Sequence, residues 1–476
     1  MPIVLGGGLS GLSAAYYLSK RYIQPVTVVE ASKRLGGWVK SEPDPEKGFI
    51  FEAGPRTIRP KGPAAANTLE LLEDLGLENE IQPIYPHHPA ARVRMIYARN
   101  RLHVLPSSLG GVMKQTSLFK EPLINSVFHD LKAPRSSQLL DDEPIYDFVS
   151  RRFGNDVAQY AISPMICGIC AGDAKEISVR FLMNDLFEKE QKYGGVIKGM
   201  LLGSLFGKRK SPDESLKKAQ NSNLAKRAKE EGWSIYSLKG GLEQFPRALA
   251  GKLVENNVEI KTNAECKKLK FYNDRAVVNI SGNEHETDHV ISALPSHKLA
   301  NLVQQEHPSL ACMLRSIPYV TVAVVNVQYD LCDLLEDEAF GFLVPPSENL
   351  PILGVIFDSC CFNMNRKTVL TVMMGGRWFH EHFGLKPSTK DILKTALKHL
   401  KNILKIEETP SKTAVRILED CIPQYTVGHT ARVENIRNYI ERNGLPLAVC
   451  GAAYDGVGVN DVILSARRTV ESLTQC

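Results

Sequence analysis

Apolar and polar positions along the chain fall into distinct regimes. Pro2-Ile3-Val4-Leu5 is a short unbroken apolar run of the kind that forms a buried strand, and residues 12–19 follow with helical spacing and small side chains. Between them stands Gly6-Gly7-Gly8-Leu9-Ser10-Gly11, so the pattern predicts strand, glycine turn and helix. A second apolar strand over 26–29 ends at Glu30. From about residue 86 to 206 the pattern becomes short helical segments broken by Pro and Gly, such as 139–153 and 177–191, without strand alternation. This predicts a mainly helical insertion. Residues 208–231 are charge-rich and poor in large apolar side chains, which predicts a mobile linker or an exposed helix.

Strand signals return at residue 233. Residues 233–249 read as a strand, a turn at Gly240-Gly241 and a helix, with further strands at 258–262, 276–280 and 288–295. Segments 319–329, 341–344, 354–357 and 368–374 predict a second sheet, with a helix near 390–404. The chain closes with a strand, a glycine-rich loop and a helix over 447–473, which would bring a second helix N-terminus and its partial positive charge toward a bound group.

Composition narrows the classes. With 476 residues, 43% hydrophobic and 23% charged, the chain matches ordinary globular proteins. Its 58 Lys and Arg against 53 Asp and Glu leave a net charge of +5, too small to argue for a nucleic-acid partner. No apolar run approaches the ~18 residues of a membrane-spanning helix, so peripheral attachment is the only membrane mode expected. Residues 195–206 are apolar, too short to span, and followed by Lys208-Arg209-Lys210, an arrangement that suits either a membrane interface or a buried helix before a solvated loop. Met1 to Leu5 run directly into the glycine turn, so no cleavable leader is expected and any organelle address would be internal. The ten cysteines are scattered and read as free thiols.

Candidate chemistry concentrates near the start. In a G-x-G-x-x-G turn the first glycine makes the bend, the second admits a pyrophosphate and the third lets helix and strand pack. Glu30 would accept hydrogen bonds from ribose hydroxyls and repel a 2′-phosphate. Arg34-Leu35-Gly36-Gly37-Trp38 offers a second close backbone approach, and Phe51-Glu52-Ala53-Gly54-Pro55-Arg56 places either a fixed positive charge beside the ligand or a surface ion pair. Cys167-Gly-Ile-Cys170 has thioredoxin-like spacing without a second pair to complete a zinc site. His380 and His382 alternate on one face of a possible strand, with no carboxylate or Cys motif nearby. No metal is assigned to either.

Together the glycine turn, the Arg34–Trp38 doublet, Leu238-Lys-Gly-Gly-Leu242 and the C-terminal loop resemble the FAD-dependent amine oxidase and phytoene desaturase superfamily. Gly54-Pro-Arg-Thr-Ile-Arg-Pro60, Cys421-Ile-Pro-Gln-Tyr-Thr-Val-Gly-His429 and Tyr454-Asp-Gly-Val-Gly-Val-Asn-Asp461 narrow the likeness to its porphyrinogen-oxidising branch of the vertebrate mitochondrial type. The resemblance implies an α/β fold: a Rossmann-like FAD-binding domain from 1–85, 232–296 and 446–476, a mixed-sheet substrate domain over 297–445, an inserted mainly helical membrane-associating domain over 86–206, and a linker over 207–231. It implies non-covalent FAD held by Gly6, Gly7, Gly8, Leu9, Ser10, Gly11, Glu30, Gly37, Trp38, Gly54, Pro55, Arg56, Thr57, Cys266, Ala452, Val457, Gly458 and Val459. Arg94 would hold a substrate propionate, and Gly168, Phe340, Leu343, Ile356 and Met373 would wall the macrocycle.

The activity implied is oxygen-dependent conversion of protoporphyrinogen IX to protoporphyrin IX, the penultimate step of haem biosynthesis, in three two-electron steps that yield hydrogen peroxide. Flavin N5 would be the hydride acceptor, so no side-chain acid or base is required. The resemblance further implies a homodimer attached peripherally to the mitochondrial inner membrane on its intermembrane-space side, with a ferrochelatase as a possible recipient of product. The alternatives are a flavin amine oxidase of the same fold, whose Ser-Gly-Gly-Cys-Tyr attachment segment is not reproduced by Cys450-Gly-Ala-Ala-Tyr454, and a flavin-binding regulator without turnover.

Overall fold

The computed structural model describes residues 1–21, 25–44, 49–134, 141–206, 214–272, 274–362 and 367–473. Its first sheet is parallel throughout and ordered Leu447–Val449, Val290–Ser292, Ile3–Leu5, Thr27–Val29 and Glu259–Lys261. Parallel strands are covered on both faces, which is why these segments read as unbroken apolar runs. Val4 and Val28 point into one core, where Leu12 of helix Leu9–Ser19, Leu69 of helix Pro63–Asp74, Leu249 of helix Gln244–Glu255 and Ile463 of helix Val459–Leu473 are all buried. Ile3, Leu5 and Val29 point the other way, against helices Ser296–Val303, Pro308–Arg315 and His429–Arg442 and the sheet Cys266–Tyr272, Arg275–Ile280, Asn283–Thr287. Strand Ile3–Leu5 is central, and chain order reverses beside it. Its C-terminal end is therefore the crevice where open α/β sheets bind ligands.

The second sheet has seven strands, ordered Lys412–Pro423, Tyr319–Tyr329, Thr368–Gly376, Ile352–Phe357, Gly341–Leu343, Met95–Ala98 and Arg101–Val104. One face, carrying Ala323, Val325, Val355, Val372 and Met374, packs on Ile392, Ala396 and Leu400 of helix Thr389–Leu404. Period-two alternation turns Val324, Leu353 and Met373 to the opposite face, where they form a separate cluster.

Four expectations are corrected. The 86–206 stretch is not free of strands: Met95–Ala98 and Arg101–Val104 form a hairpin that extends the second sheet. Its two-residue turn, Arg99-Asn100, has φ of 53° and 60°, the left-handed pair a tight hairpin needs but with no glycine to signal it. Strand Lys412–Pro423 was not anticipated, because this sheet-edge strand carries many half-buried and polar positions. Of the two readings of 208–231, a mobile linker or an exposed helix, the described part takes the helical one but is docked. Helices Glu214–Gln220 and Asn223–Glu230 bury Leu216, Ala219, Leu224 and Ala228, and both pack on helix Pro63–Asp74. Four small or medium apolar residues at helical spacing suffice for that docking. Finally, His380 and His382 lie in the short helix Phe379–Phe383, which points them in different directions.

Helix Val196–Phe206 is held at its start by a buried charge pair. Asp130 accepts hydrogen bonds from the N–H groups of Val196 (3.3 Å) and Ile197 (2.8 Å) and pairs with Arg152 at 2.7 Å, both side chains fully buried. Val196 and Gly199 face inward while Met200 and Leu201 are exposed, so the segment is a buried helix on one side only. Lys208-Arg209-Lys210 lie outside the described residues. Among the described residues no helix is long and apolar enough to cross a membrane.

Candidate active site

The glycine turn caps the helix Leu9–Ser19 at the C-terminal end of the first strand. A Cβ on Gly11 would fall well inside contact with the Gly6 carbonyl oxygen, and one on Gly7 would strike Leu35 and Glu30. Gly36 donates its N–H to the Gly7 carbonyl at 2.8 Å, and Gly8 bridges to Gly36. The 34–38 doublet is thereby laid along the turn. Arg34 donates to the carbonyls of Leu35, Gly37 and Val39, which leaves Trp38 exposed at the rim. Glu30 accepts from the N–H groups of Gly7 (2.7 Å) and Ser32 (2.8 Å), with further lone pairs available.

Distant residues converge on this turn. Ala264 donates its N–H to the Glu30 carbonyl, which brings Cys266, half-buried two residues later, to the same side. A Cβ on Gly451 would touch the Ser10 hydroxyl, so the loop carrying Ala452 abuts the turn as well. Asn460 donates to the Arg59 carbonyl at 2.9 Å and ties the final helix to the 54–60 loop. Ala452, Val457, Gly458 and Val459 are half-buried, as are Gly54, Pro55 and Thr57. The backbone cradle, the helix N-terminus without an acidic first turn and the fixed carboxylate fit a dinucleotide with a free ribose edge.

Two parts of the expected site are arranged differently. Arg56 is neither a free charge facing a cofactor nor a surface ion pair: its guanidinium is buried against Asp358 at 2.7 Å. Asp358 also accepts from Thr371 (2.6 Å), and Asn326 donates to Thr371 (2.8 Å) and to the Glu52 carbonyl (3.2 Å). The loop's backbone packs on the 38–40 segment, where a Cβ on Gly54 would overlap the Trp38 carbonyl, while its arginine locks it to the second sheet. At the final helix, the Gly458 N–H is taken by Asp461, whose carboxyl burial raises above the usual range, so the positive helix end is partly satisfied from within.

Glu52 leads into the same loop, two residues before Gly54. It is buried and accepts from the Ser41 hydroxyl and the Leu242 N–H, both at 2.8 Å. Burial pushes its pKa up to about 7, with Asp358 raising it further and the Leu242 N–H, Ser41 and Arg56 opposing. A carboxyl raised in the fold stabilises it most below its unfolded pKa near 4.5, and that contribution is lost as pH rises through about 7. At roughly 1.4 kcal/mol per unit the full loss is on the order of 3 kcal/mol. Glu52→Gln keeps an acceptor and removes the titration. Its thermal midpoint should therefore rise relative to the parent chain between pH 5 and pH 8, at fixed FAD, and a constant difference would show that Glu52 does not titrate there.

The residues expected to bind substrate lie on and beside the second sheet. Arg94 is half-buried, stacks its guanidinium over Phe340 with 4.7 Å to the ring centroid, and donates to the carbonyls of Ala90 and Val93. Burial lowers its pKa, and nearby Arg59 lowers it further. Among the described residues it has no ion-pair partner. Leu343, Ile356 and Met373 alternate with the fully buried Phe342, Val355, Val372 and Met374, and each retains an open side. Gly168 lies against Leu343, since a Cβ there would meet the leucine side chain at 2.9 Å.

The cysteine pair does not join this site. Cys167 and Cys170 are buried in helix Ser163–Cys170, their thiols directed to the carbonyls of Gly172 and Ile166, and burial raises both pKa values. That environment disfavours thiolate chemistry. Among the described residues no group of three or more His, Cys, Asp and Glu is placed to hold a metal ion.

Comparison with known proteins agrees with this geometry. The family model for flavin-containing amine oxidoreductases matches residues 9–474. Human protoporphyrinogen oxidase is 38% identical, across 99% of this chain and 98% of its own. The enzyme of that name from Schizosaccharomyces pombe is 34% identical over the same shares. The crystal structure of an Exiguobacterium protein superposes with a TM-score of 0.79 at 23% identity, covering 100% of this chain and 98% of the other, and shares the fold. With the glycine cradle, the fixed carboxylate and full-length identity above 30% in hand, the chain belongs to the flavin-containing amine oxidoreductases and, within them, to the protoporphyrinogen oxidase family.

Proposed function

We propose that this chain oxidises protoporphyrinogen IX to protoporphyrin IX with non-covalently bound FAD and oxygen as the final acceptor. Six hydrogens leave the macrocycle in three two-electron rounds, and each round turns one oxygen into one hydrogen peroxide. Bound FAD supplies the two-electron acceptor that oxygen restores. The carrying observation is Arg94, a half-buried cation with no ion-pair partner among the described residues, stacked on Phe340 beside an apolar face with open sides.

The chain's own residues orient and exclude. Arg94 offers a planar donor fork to a propionate carboxylate. Leu343, Ile356 and Met373 present apolar surface to a flat macrocycle and keep water from it. The 6–11 turn, Glu30, Trp38, the 54–57 backbone, Cys266, Ala452 and 457–459 would hold the flavin nucleotide against that face.

Anaerobic mixing tests this reading. Bound flavin should bleach with protoporphyrinogen IX and stay oxidised with a simple primary amine. Bleaching by the amine alone would move the chain to the amine oxidase side of the family, and bleaching by neither would leave a flavin-binding protein without turnover.

The same proposal includes peripheral attachment to the mitochondrial inner membrane and a homodimer, with a ferrochelatase as recipient of product. Attachment is supported by two helices packed on each other: Ile124–Lys132 exposes Phe128 and Leu131, and Val196–Phe206 exposes Met200 and Leu201. Such paired apolar faces suit the headgroup region. Leu131→Glu with Leu201→Glu should abolish co-sedimentation with anionic phospholipid vesicles while flavin content stays at one per chain. Undiminished sedimentation would remove this face from the proposal.

A further inference from the structure

The segment 421–429 lies between two parts of the candidate site. Gln424 is 2% exposed, and its side-chain amide donates to the Cys170 carbonyl at 2.9 Å, with longer bonds to the carbonyls of Ile422 (3.3 Å) and Pro423 (3.4 Å). Cys170 ends the helix Ser163–Cys170, which sets Gly168 against Leu343. The fit is close, because a Cβ on Gly172 would overlap the Gln424 side-chain oxygen. The next residue reaches the opposite way. Tyr425 is fully buried and donates its hydroxyl to the Ala452 carbonyl at 2.7 Å, in the loop that abuts Ser10.

Both side chains stand on a fixed backbone. Gln424 donates its N–H to the Pro318 carbonyl, Tyr425 accepts from the Ser178 N–H, Val427 donates to Glu176, and Gly428 donates to the Asp142 carboxylate at 2.8 Å. The Tyr425 ring packs in a three-ring cluster with Phe181, at 4.2 Å between centroids, and His429, at 4.9 Å, those two being 4.6 Å apart. Adjacent residues on an immobilised segment therefore hold the substrate wall with one side chain and the flavin loop with the other.

We propose that Gln424 and Tyr425 are positioning residues that set the spacing between the Gly168 wall and the Ala452 loop, and so between porphyrinogen and flavin. This rests on the functional reading above. Hydrogen transfer needs reacting atoms roughly 3–3.5 Å apart, and a misplacement of about 1 Å costs on the order of 100-fold. A strut that fixes two walls acts on the limiting rate more than on affinity, because Arg94 and the apolar face still bind the substrate.

The test uses FAD-loaded protein. Tyr425→Phe keeps the ring stack and removes one hydroxyl, and Gln424→Met keeps the volume and removes the amide. Each should lower the limiting rate of anaerobic flavin bleaching by protoporphyrinogen IX at least tenfold. Half-saturation should stay within twofold, flavin content at one per chain, and the visible flavin band should shift. The double variant should be no slower than the slower single one, since both act through the same spacing. Limiting rates within twofold of the parent, effects that multiply in the double variant, or loss of FAD or folding in Tyr425→Phe would each overturn the proposal. If the parent flavin is not bleached by protoporphyrinogen IX, the functional reading fails separately. The strut is then judged on the visible spectrum of FAD-loaded Tyr425→Phe, and an unchanged band overturns it.

Discussion

Gly11→Val is expected to yield a chain that does not retain stoichiometric FAD. A Cβ at this position falls inside contact with the Gly6 carbonyl oxygen and close to its carbonyl carbon. Both are backbone atoms in the same turn, so no rotamer change relieves the overlap. Helix Leu9–Ser19 must move off the first strand, and the N–H groups that point at a pyrophosphate move with it. Overpacking ordinarily costs about 1–3 kcal/mol, and a backbone clash lies at the upper end or beyond. The flavin-to-protein absorbance ratio, with thermal unfolding at saturating FAD, checks this directly. A purified Gly11→Val protein carrying one FAD per chain would contradict the assignment of this turn to the phosphates.

Arg94→Ala should raise the half-saturating concentration of protoporphyrinogen IX by one to two orders of magnitude while flavin remains bound. A hydrogen bond to a charged group is worth about 1.5–3 kcal/mol, which corresponds to that range. The parent arginine is partly desolvated, lies close to Arg59 and has no acidic neighbour paired with it among the described residues. Its removal should therefore leave folding intact. Arg94→Lys should recover only part of the loss, because an ammonium cannot reproduce the planar two-donor fork. The measurement is anaerobic bleaching as a function of porphyrinogen concentration. An unchanged half-saturation in Arg94→Ala would remove this residue from the substrate site.

Legibility followed the range of the interactions. The strand, turn and helix at the N-terminus were readable because a glycine's steric demand and an apolar period are local properties of a few residues. Strand Tyr319–Tyr329 and helix Thr389–Leu404 were readable for the same reason, as long segments with a strong pattern. The Met95–Ala98 hairpin was missed because Arg99-Asn100 adopts a left-handed turn without glycine. The docking of 214–230 was missed because a few Leu and Ala side chains among many charges look solvated until a partner helix is present.

By itself the sequence determined the N-terminal strand, glycine turn and helix and the place of Glu30 just after the second strand, since apolar period and glycine's steric demand act along the chain, while the α/β fold class came from the resemblance its motifs carry. Tertiary structure alone decided where the charges went. Arg56 looked available beside its loop, but its partner Asp358 stands 302 residues away. Arg94 kept its charge unpaired among the described residues because packing set it on Phe340 and gave it carbonyl acceptors. Gln424 and Tyr425 reach opposite sides of the site only because the chain threads between Cys170 and Ala452. Hydrogen bonds and ion pairs act over about 3 Å, so a pattern along the chain cannot specify them until the fold has chosen which distant residues meet.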